Sequence, residues 1–190
     1  MILTAHRLHH AFRALVAVAC VLASACQPRA ADTPGTTAGS TAPPPWAVTL
    51  EAAGPVRFGM TAGEAFAAAG DAAASAAPAD SSCRYWVPPG APAGLRLMLE
   101  NGMVVRADVD SAGITTINNL GVGSPVESVV VALGPSLQVS PHKYQWEEGW
   151  RYLSFGDDSL HRLIFTVDSH VVRSLRAGIL PAVEYVEGCS

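Results

Sequence analysis

The composition of the chain changes abruptly after a short apolar stretch, which limits the part that can form a folded core. Residues 14–25 are all apolar or small, and residues 1–13 contain Arg7 and Arg13 but no acidic residue. A basic start, an apolar stretch of about 7–15 residues and small residues at its end are typical of a secretory signal peptide. The stretch is too short for a transmembrane helix, which needs about 20 apolar residues. We therefore predict a signal peptide over residues 1–25.

The segment that follows the apolar stretch has the composition of a linker. Residues 26–45 are mostly Ala, Thr, Pro, Gly and Ser, and they include no large apolar side chain. Such a segment cannot bury enough apolar surface to offset the entropy of ordering it, and its three consecutive prolines favour a stiff, extended chain. We expect residues 26–45 to be a tether. Residues 46–190 remain, enough for one domain or for two small halves around a shared core.

The junction between these two segments, Leu-Ala-Ser-Ala-Cys at residues 22–26, resembles the lipobox of bacterial lipoproteins. In that family the cysteine is acylated and becomes the new N-terminus, and stable anchoring takes more than one acyl chain. The resemblance implies lipid attachment at Cys26, and ordinary cleavage nearby is the alternative. Lipoproteins retained at the inner membrane commonly have aspartate after the cysteine, whereas this chain has Gln27. We therefore expect an exported protein, anchored by its lipid to the outer membrane on the periplasmic side.

The charge balance argues against a nucleic-acid partner. Removal of the signal peptide takes away Arg7 and Arg13, which leaves 10 of the 12 basic residues against 16 acidic ones and a net charge of −6. A negative chain is repelled by phosphate backbones and by anionic lipid headgroups. We expect no nucleic acid among the partners, and we expect contact with the membrane to be made by the N-terminal lipid.

Two cysteines remain once the signal peptide and the lipid site are set aside. Cys20 lies in the signal peptide and Cys26 is the lipid site, which leaves Cys83 and Cys189. Two cysteines in an exported chain are expected to pair. The bridge would close a loop of about 107 residues, worth roughly 4–5 kcal/mol in the chain-entropy model. A free reactive thiol is the alternative, but no basic residues cluster near either cysteine to lower its pKa.

A helix start with the same residue pattern occurs twice in residues 46–190. Thr61 precedes Glu64 by three residues, and Ser124 precedes Glu127 by three. This spacing is the capping-box signature, in which the hydroxyl accepts from the third amide of the helix and the glutamate reaches back. A proline follows Ser124 at the first helical position, where proline is favoured. We predict a short helix at each start.

Glycines end both predicted helices and give nearly the same period. Gly70 and Gly134 each follow the helix start by about two turns, where a glycine can end a helix in the left-handed conformation. The two starts are 63 residues apart and the two glycines are 64 residues apart. Two independent marks at one period indicate an internal repeat.

Strands are predicted after each helix. Asn101-Gly102 separates two apolar runs, and this dipeptide favours a two-residue hairpin turn because both positions take positive φ. The predicted strands are 83–87, 95–99 and 103–109 after the first helix, and 143–146, 150–155, 161–167 and 171–177 after the second. We therefore predict an α+β fold of two tandem repeats, 46–117 and 118–190. Each repeat is a short helix followed by three or four antiparallel strands, with the helices on one face of the sheet.

The two helices also resemble a pattern known from small lipoproteins. Gly-Met-Thr at 59–61 followed by Glu64 and Ala65, and Ala-Leu-Gly-Pro at 132–135, look like a segment of the SmpA/OmlA type of outer-membrane lipoprotein. Those proteins belong to the machinery that inserts β-barrels. The tandem layout is similar to that of the secreted β-lactamase inhibitor protein, which has two helix-plus-sheet units. Both families are non-enzymatic and bind proteins, which the resemblance implies for this chain. The resemblance covers the helices and the layout of the chain, and no functional residue carries over from either family.

Four aromatic residues lie close together within residues 143–155. A hairpin with a three-residue turn would place Trp146 opposite Trp150 and Tyr144 opposite Tyr152. Aromatic cross-strand pairs stabilise sheets, and aromatic residues are also enriched at protein interfaces. We expect these four side chains to form core beneath the second helix, and a protein contact surface is the alternative.

The sequence contains none of the common signatures of catalysis. The patterns G-x-S-x-G, H-E-x-x-H, C-x-x-C and the phosphate loop do not occur. Asp157, Asp158 and His161 could bind a metal ion, but they follow Gly156 between two predicted strands, where aspartate is a usual turn residue. We expect no enzyme activity, metal or cofactor. The sequence favours a lipid-anchored accessory or scaffold protein of the cell envelope that binds another protein. An inhibitor of a secreted or periplasmic enzyme is the first alternative, and a small-ligand-binding protein or an enzyme is the second.

Overall fold

The fold is built around one seven-stranded antiparallel sheet. The computed structural model describes residues 45–74, 82–156 and 159–189. Two short strands come first, β1 (Ala52–Ala53) and β2 (Val56–Arg57), and they pair with each other. The seven strands of the main sheet are β3 (Cys83–Trp86), β4 (Leu95–Glu100), β5 (Met103–Val109), β6 (Gln138–Pro141), β7 (Arg151–Phe155), β8 (His161–Val167) and β9 (Val172–Ile179).

The order across the main sheet is β3-β4-β5-β9-β8-β7-β6, and every neighbouring pair is antiparallel. The pair β5–β9 therefore joins the strands of the first half to those of the second. Gly178 lies at this junction, opposite Arg106 of β5. A Cβ atom on Gly178 would come 2.2 Å from the carbonyl oxygen of Val105. Only glycine allows β5 and β9 to approach this closely, since real Cβ atoms keep a larger distance from backbone oxygen.

The two helices are short and lie over the same core. They are α1 (Ala62–Ala68) and α2 (Val126–Leu133). Ala65 and Phe66 of α1 and Val129 of α2 belong to one apolar cluster. The sheet contributes to this cluster through Leu97, Leu99, Val104, Leu153, Leu163, Phe165, Leu175 and Ala177. The structure thus confirms the α+β class. Among the described residues, no helix is long and apolar enough to cross a membrane.

The first helix begins and ends as the sequence predicts. The Thr61 hydroxyl accepts from the Glu64 amide at 3.4 Å, and the Glu64 carboxylate accepts from the Thr61 amide at 2.9 Å. This reciprocal pair is a complete capping box. The Thr61 amide, and next the Thr61 hydroxyl, which donates to the Glu64 carboxylate at 2.8 Å, lower the pKa of Glu64. Gly70 follows the helix with φ of +71°, the left-handed conformation that ends a helix.

The capping box predicted for the second helix is wrong. The Ser124 hydroxyl accepts from the Gly121 amide at 3.0 Å instead of from the helix, and Pro125 occupies the position before the first helical residue. The backbone explains the difference, because the entering chain is bound to the end of the β8–β9 hairpin. Val126 donates to the carbonyl of His170 at 3.0 Å, and Val172 donates to that of Ser124 at 2.9 Å. The helix ends before Gly134, as predicted.

Two predicted hairpins are confirmed. Asn101 and Gly102 have φ of +51° and +78°, and they connect β4 to β5. The connection from β8 to β9 is a turn in which the Asp168 carboxylate accepts from the amides of His170 and Val171 at 2.7 and 2.8 Å. These two backbone hydrogen bonds are the main reason that the pKa of Asp168 falls to about 2.

The hairpin predicted over residues 143–155 is wrong. Residues 143–146 are not a strand, and β7 pairs instead with the exposed edge strand β6, which the sequence did not predict. A 3₁₀ helix, Trp146–Glu148, lies in the connection, and Gly149 follows it with φ of +84°. The imidazole of His142 explains the turn away from the sheet. Its Nδ1 atom accepts from the amides of Tyr144 and Gln145 at 3.2 and 3.1 Å, which leaves these amides unable to pair with β7.

The two helix starts give a matched pair of stability tests. We expect Thr61→Ala to lower the free energy of unfolding by about 1 kcal/mol, because it removes an N-cap hydroxyl. We expect Ser124→Ala to cost less than about 0.5 kcal/mol, because it removes one loop hydrogen bond near the surface. Urea unfolding of both variants beside the unmodified protein measures the two values. Equal losses would contradict the assignment of only one capping box.

Candidate functional site

A disulfide fixes the C-terminal end of the chain to the first strand of the main sheet. Cys83 of β3 and Cys189 are bonded, with their Cα atoms 5.4 Å apart and a separation of 106 residues along the chain. This confirms the predicted pairing. Residues 180–189, which we call the C-terminal segment, thereby lie across the face of the sheet opposite the helices. Inside this segment, a 3₁₀ helix over Ala182–Glu184 packs against β5, β8 and β9.

A buried arginine holds the C-terminal segment on this face. Arg106 of β5 is only 3% exposed. Its Nη1 atom donates to the carbonyls of Ala182 and Tyr185 at 3.1 and 2.7 Å, and its Nη2 atom donates to the Tyr85 hydroxyl at 3.0 Å. Its Nε atom donates to the carboxylate of Asp108 at 2.9 Å. Each nitrogen of the guanidinium therefore has an acceptor, which is the condition for burying a charge without a large penalty.

A small apolar cluster lies next to this arginine. Tyr152, Ile164 and Val183 are buried together, with Leu180 packed against them. Tyr152 comes from β7, Ile164 from β8, and the other two come from the C-terminal segment. The segment thus covers strands of the second half while its end is bonded to a strand of the first half.

A cavity of about 180 Å³ lies beside the apolar cluster, between the sheet and the C-terminal segment. Arg176 of β9 contributes a guanidinium whose carbon lies 5.1 Å from the centre of the Tyr152 ring. Burial, and next the nearby charge of Arg106, lower the pKa of Arg176 from its usual value. The lining residues are Ser140, Tyr152, Ser154, Ile164, Arg176, Glu184 and Val186.

Two polar atoms at this cavity have no hydrogen-bond partner within the described part of the chain. They are the Tyr152 hydroxyl and the Nε atom of Arg176, and both are buried. No ion pair within 4 Å is found for Arg176 in residues 45–74, 82–156 and 159–189. Arg176 therefore differs from its neighbour Arg106, in which every guanidinium nitrogen has an acceptor. Sequence reasoning missed this site, because the lining residues come from four strands and the C-terminal segment.

The loop after β6 forms the rim of this region and contains the predicted aromatic residues. The ring of His142 lies 4.8 Å from that of Tyr152, 5.8 Å from that of Trp150 and 6.4 Å from that of Tyr144, centre to centre. Three of the four aromatic residues thus surround one imidazole, and they do not form cross-strand pairs. Trp146 lies apart on the 3₁₀ helix.

The four predicted contact residues divide into a buried and an exposed group. Tyr152 is buried and lines the cavity, and Trp150 is half-buried against His142. Tyr144 and Trp146 are 59% and 56% exposed. The Tyr144 hydroxyl is hydrogen-bonded to the Glu187 carboxylate, which joins the loop to the C-terminal segment. The expected position beneath the second helix is wrong, because Tyr152 belongs to the cluster on the opposite face.

The remaining site predictions involve residues outside the described ranges. Cys26, the predicted lipid site, lies outside them, as do Asp157 and Asp158 of the possible metal site. His161 begins β8. Within residues 45–74, 82–156 and 159–189, no group of three or more His, Cys, Asp or Glu side chains could hold a metal ion.

Comparisons with known proteins identify no relative. No family model, no curated protein and no solved structure matches this chain. The resemblances to the SmpA/OmlA lipoproteins and to the β-lactamase inhibitor protein therefore stay predictions from short motifs and layout.

The position of His142 predicts that the loop 142–149 responds to pH. Its Nδ1 atom accepts from two amides, so it must be unprotonated there, and burial followed by the charge of Arg176 lowers the pKa of His142. The folded-state pKa lies below the unfolded value of about 6.5, so the stabilising effect is complete above about pH 6.5 and is lost as the pH falls below it. We expect a change in tryptophan fluorescence between about pH 7 and pH 5, reporting on Trp146 and Trp150.

A variant separates this effect from other titrations. His142→Phe keeps an aromatic ring against Tyr152 but offers no acceptor, so we expect the loop to be less stable than in the unmodified protein above about pH 6.5 and the fluorescence change to disappear. Persistence of the change in His142→Phe would show that another group causes it.

Proposed function

We propose that this protein is a lipid-anchored cell-envelope protein whose folded part binds another protein. The observation that carries the proposal is the pair of exposed aromatic side chains on the loop 142–149. Tyr144 and Trp146 are 59% and 56% exposed, and Tyr185 of the C-terminal segment, 37% exposed, borders the same surface depression as Lys143. We call Tyr144, Trp146 and Tyr185 the aromatic surface. Aromatic residues are enriched where proteins bind one another.

The fixed shape of the loop supports a binding function. Tyr144 is held by the His142 imidazole through its amide and by Glu187 through its hydroxyl. Arg151 donates to the carbonyl of Trp146 at 3.2 Å and to that of Trp150 at 2.8 Å, which ties the 3₁₀ helix to β7. A surface that is ordered before binding loses less conformational entropy when a partner docks.

The predicted lipid anchor and tether fit this proposal. Acylation at Cys26 would hold the protein at a membrane, and residues 26–45 would separate the folded part from it. A segment of about 20 residues spans at most about 70 Å when fully extended. The aromatic surface could then meet a membrane-bound partner or one in the periplasm. Inhibition of a secreted enzyme would be one form of such binding, suggested by the layout shared with the β-lactamase inhibitor protein.

We also propose that the two halves are copies of one unit. Supporting this, a short helix precedes an antiparallel meander in each half, β3–β5 in the first and β7–β9 in the second, and the last strands of both meanders meet at β5–β9. The extra strand β6 and the different N-terminus of α2 are departures from strict repetition. An experimental structure in which α1 with β3–β5 failed to superpose on α2 with β7–β9 would contradict the proposal.

A crosslinking pull-down tests the binding function. The full-length protein is crosslinked in its membranes, solubilised in detergent and isolated, beside Trp146→Ala and Tyr144→Ala. We expect one dominant envelope protein with the unmodified chain, and a loss of about 30-fold with Trp146→Ala, because hot-spot aromatic residues each contribute at least about 2 kcal/mol. Cys26→Ser should lower the yield by removing the anchor.

The matched control for this experiment is Val131→Ala. Val131 is an exposed apolar residue on α2, which lies on the other face of the sheet. We expect Val131→Ala to leave the yield of the crosslinked partner unchanged. The absence of any crosslinked protein, or an equal loss with Val131→Ala, would contradict the aromatic surface as the binding site.

A further inference from the structure

The cavity between the sheet and the C-terminal segment is large enough for a small organic group. Its volume is about 180 Å³, and an apolar cavity of about 150 Å³ in another protein is known to hold benzene. Ile164 and Val186 give it apolar walls, and Ser140 and Ser154 add hydroxyls. A molecule of about six non-hydrogen atoms therefore fits beside its polar groups.

Arg176 gives this cavity a positive charge that the described residues do not neutralise directly. The residue opposite Arg176 on the neighbouring strand β5 is Asp108. The Asp108 carboxylate, however, is already bound to Arg106 at 2.9 Å. Glu184 also borders the cavity, but its side chain is exposed and forms no ion pair with Arg176 within 4 Å. A buried, charged donor without an acceptor is costly.

Tyr152, whose ring lies against the Arg176 guanidinium, has a second polar atom without an acceptor. The residue is 9% exposed, and its hydroxyl is buried without a hydrogen-bond partner in the described residues. Buried hydroxyls nearly always have a partner in native proteins. The hydroxyl of Tyr152 and the Nε atom of Arg176 belong to side chains that line the same cavity, so one bound group could accept from both.

We propose that this cavity binds a carboxylate group, with Arg176 and Tyr152 as its hydrogen-bond donors. The guanidinium donates to carboxylate oxygen, with the geometry that makes arginine the preferred partner of this group. A short apolar substituent of the ligand contacts Ile164 and Val186. A monoanion is favoured over phosphate, because Arg176 is the one cation among the described residues that line the cavity and the carboxylate of Glu184 at its edge repels additional negative charge. This site is separate from the aromatic surface, and it does not depend on the proposed function.

The carboxylate could belong to a small acid or to the end of a peptide chain, and titration calorimetry distinguishes the two. The full-length protein in detergent is titrated with butyrate, with its neutral analogue butyramide and with inorganic phosphate. N-acetyl-trialanine with a free C-terminus and its C-terminal amide form the second arm. We expect butyrate to bind at least about tenfold more tightly than butyramide, since a hydrogen bond to a charged group is worth at least this factor. Tighter binding of the free peptide than of butyrate would identify a chain end as the ligand, and weaker binding would identify a small acid.

Variants assign the binding to this cavity. We expect Arg176→Gln to weaken butyrate binding at least about tenfold and Tyr152→Phe to weaken it about fivefold, since each removes a donor. Arg173→Gln makes the same charge change on the same strand, at an exposed residue paired with Asp168, and should leave binding within about twofold. Circular dichroism and urea unfolding of each variant confirm that it is folded, and Arg176→Lys should restore part of the affinity.

Four results would overturn this proposal. Equal affinity for butyrate and butyramide would show that the cavity does not select a carboxylate. So would the absence of binding at millimolar concentration for both butyrate and the peptide with a free C-terminus. Tighter binding of phosphate would contradict the ligand class. Butyrate binding that is unchanged in folded Arg176→Gln would place the ligand elsewhere on the protein.

Discussion

The hydrogen bonds of the Arg106 guanidinium are the interaction on which the reverse face of the sheet depends. They join β5 to two carbonyls of the C-terminal segment, and the disulfide from Cys83 to Cys189 fixes the end of that segment. With the segment in place, Val183 completes the second apolar cluster and Val186 and Glu184 close the cavity wall. Without it, the strands beneath would expose their polar face to solvent.

The two faces of the sheet consequently have different roles. The face beneath α1 and α2 is an apolar core, in which Phe165, Leu97 and Leu175 are almost completely buried. The reverse face carries charged and hydroxyl side chains and is covered by the C-terminal segment, which contains one short 3₁₀ helix, rather than by an α-helix. Both candidate sites lie there, the aromatic surface at the rim and the cavity beneath the segment. Binding residues are commonly placed on loops that a rigid scaffold positions, and the loop 142–149 and the C-terminal segment fit that arrangement.

Features determined by neighbouring residues could be predicted from the sequence, and features determined by distant contacts could not. The α1 capping box and the Asn101-Gly102 turn are local, and the disulfide followed from counting cysteines. The 143–155 hairpin was wrong because the His142 side chain accepts the backbone amides that a strand would have used. The cavity was missed because Ser140, Arg176 and Glu184 meet only after the sheet and C-terminal segment assemble. One available signal of a polar contact on the reverse face was Arg106, because this charged residue follows two valines and precedes an alanine in a predicted strand.

Hydrogen exchange of Arg106→Met, with the disulfide intact, tests most directly whether Arg106 holds the C-terminal segment. Removing one partner of a buried ion pair costs about 3–5 kcal/mol. We predict that the amides of Glu184 and Tyr185, bound to the carbonyls of Pro181 and Ala182, lose protection while the β4–β5 hairpin keeps more of it. Arg173→Met, which removes an exposed arginine, should leave both regions unchanged. Unaltered protection of the C-terminal segment in Arg106→Met would contradict the account.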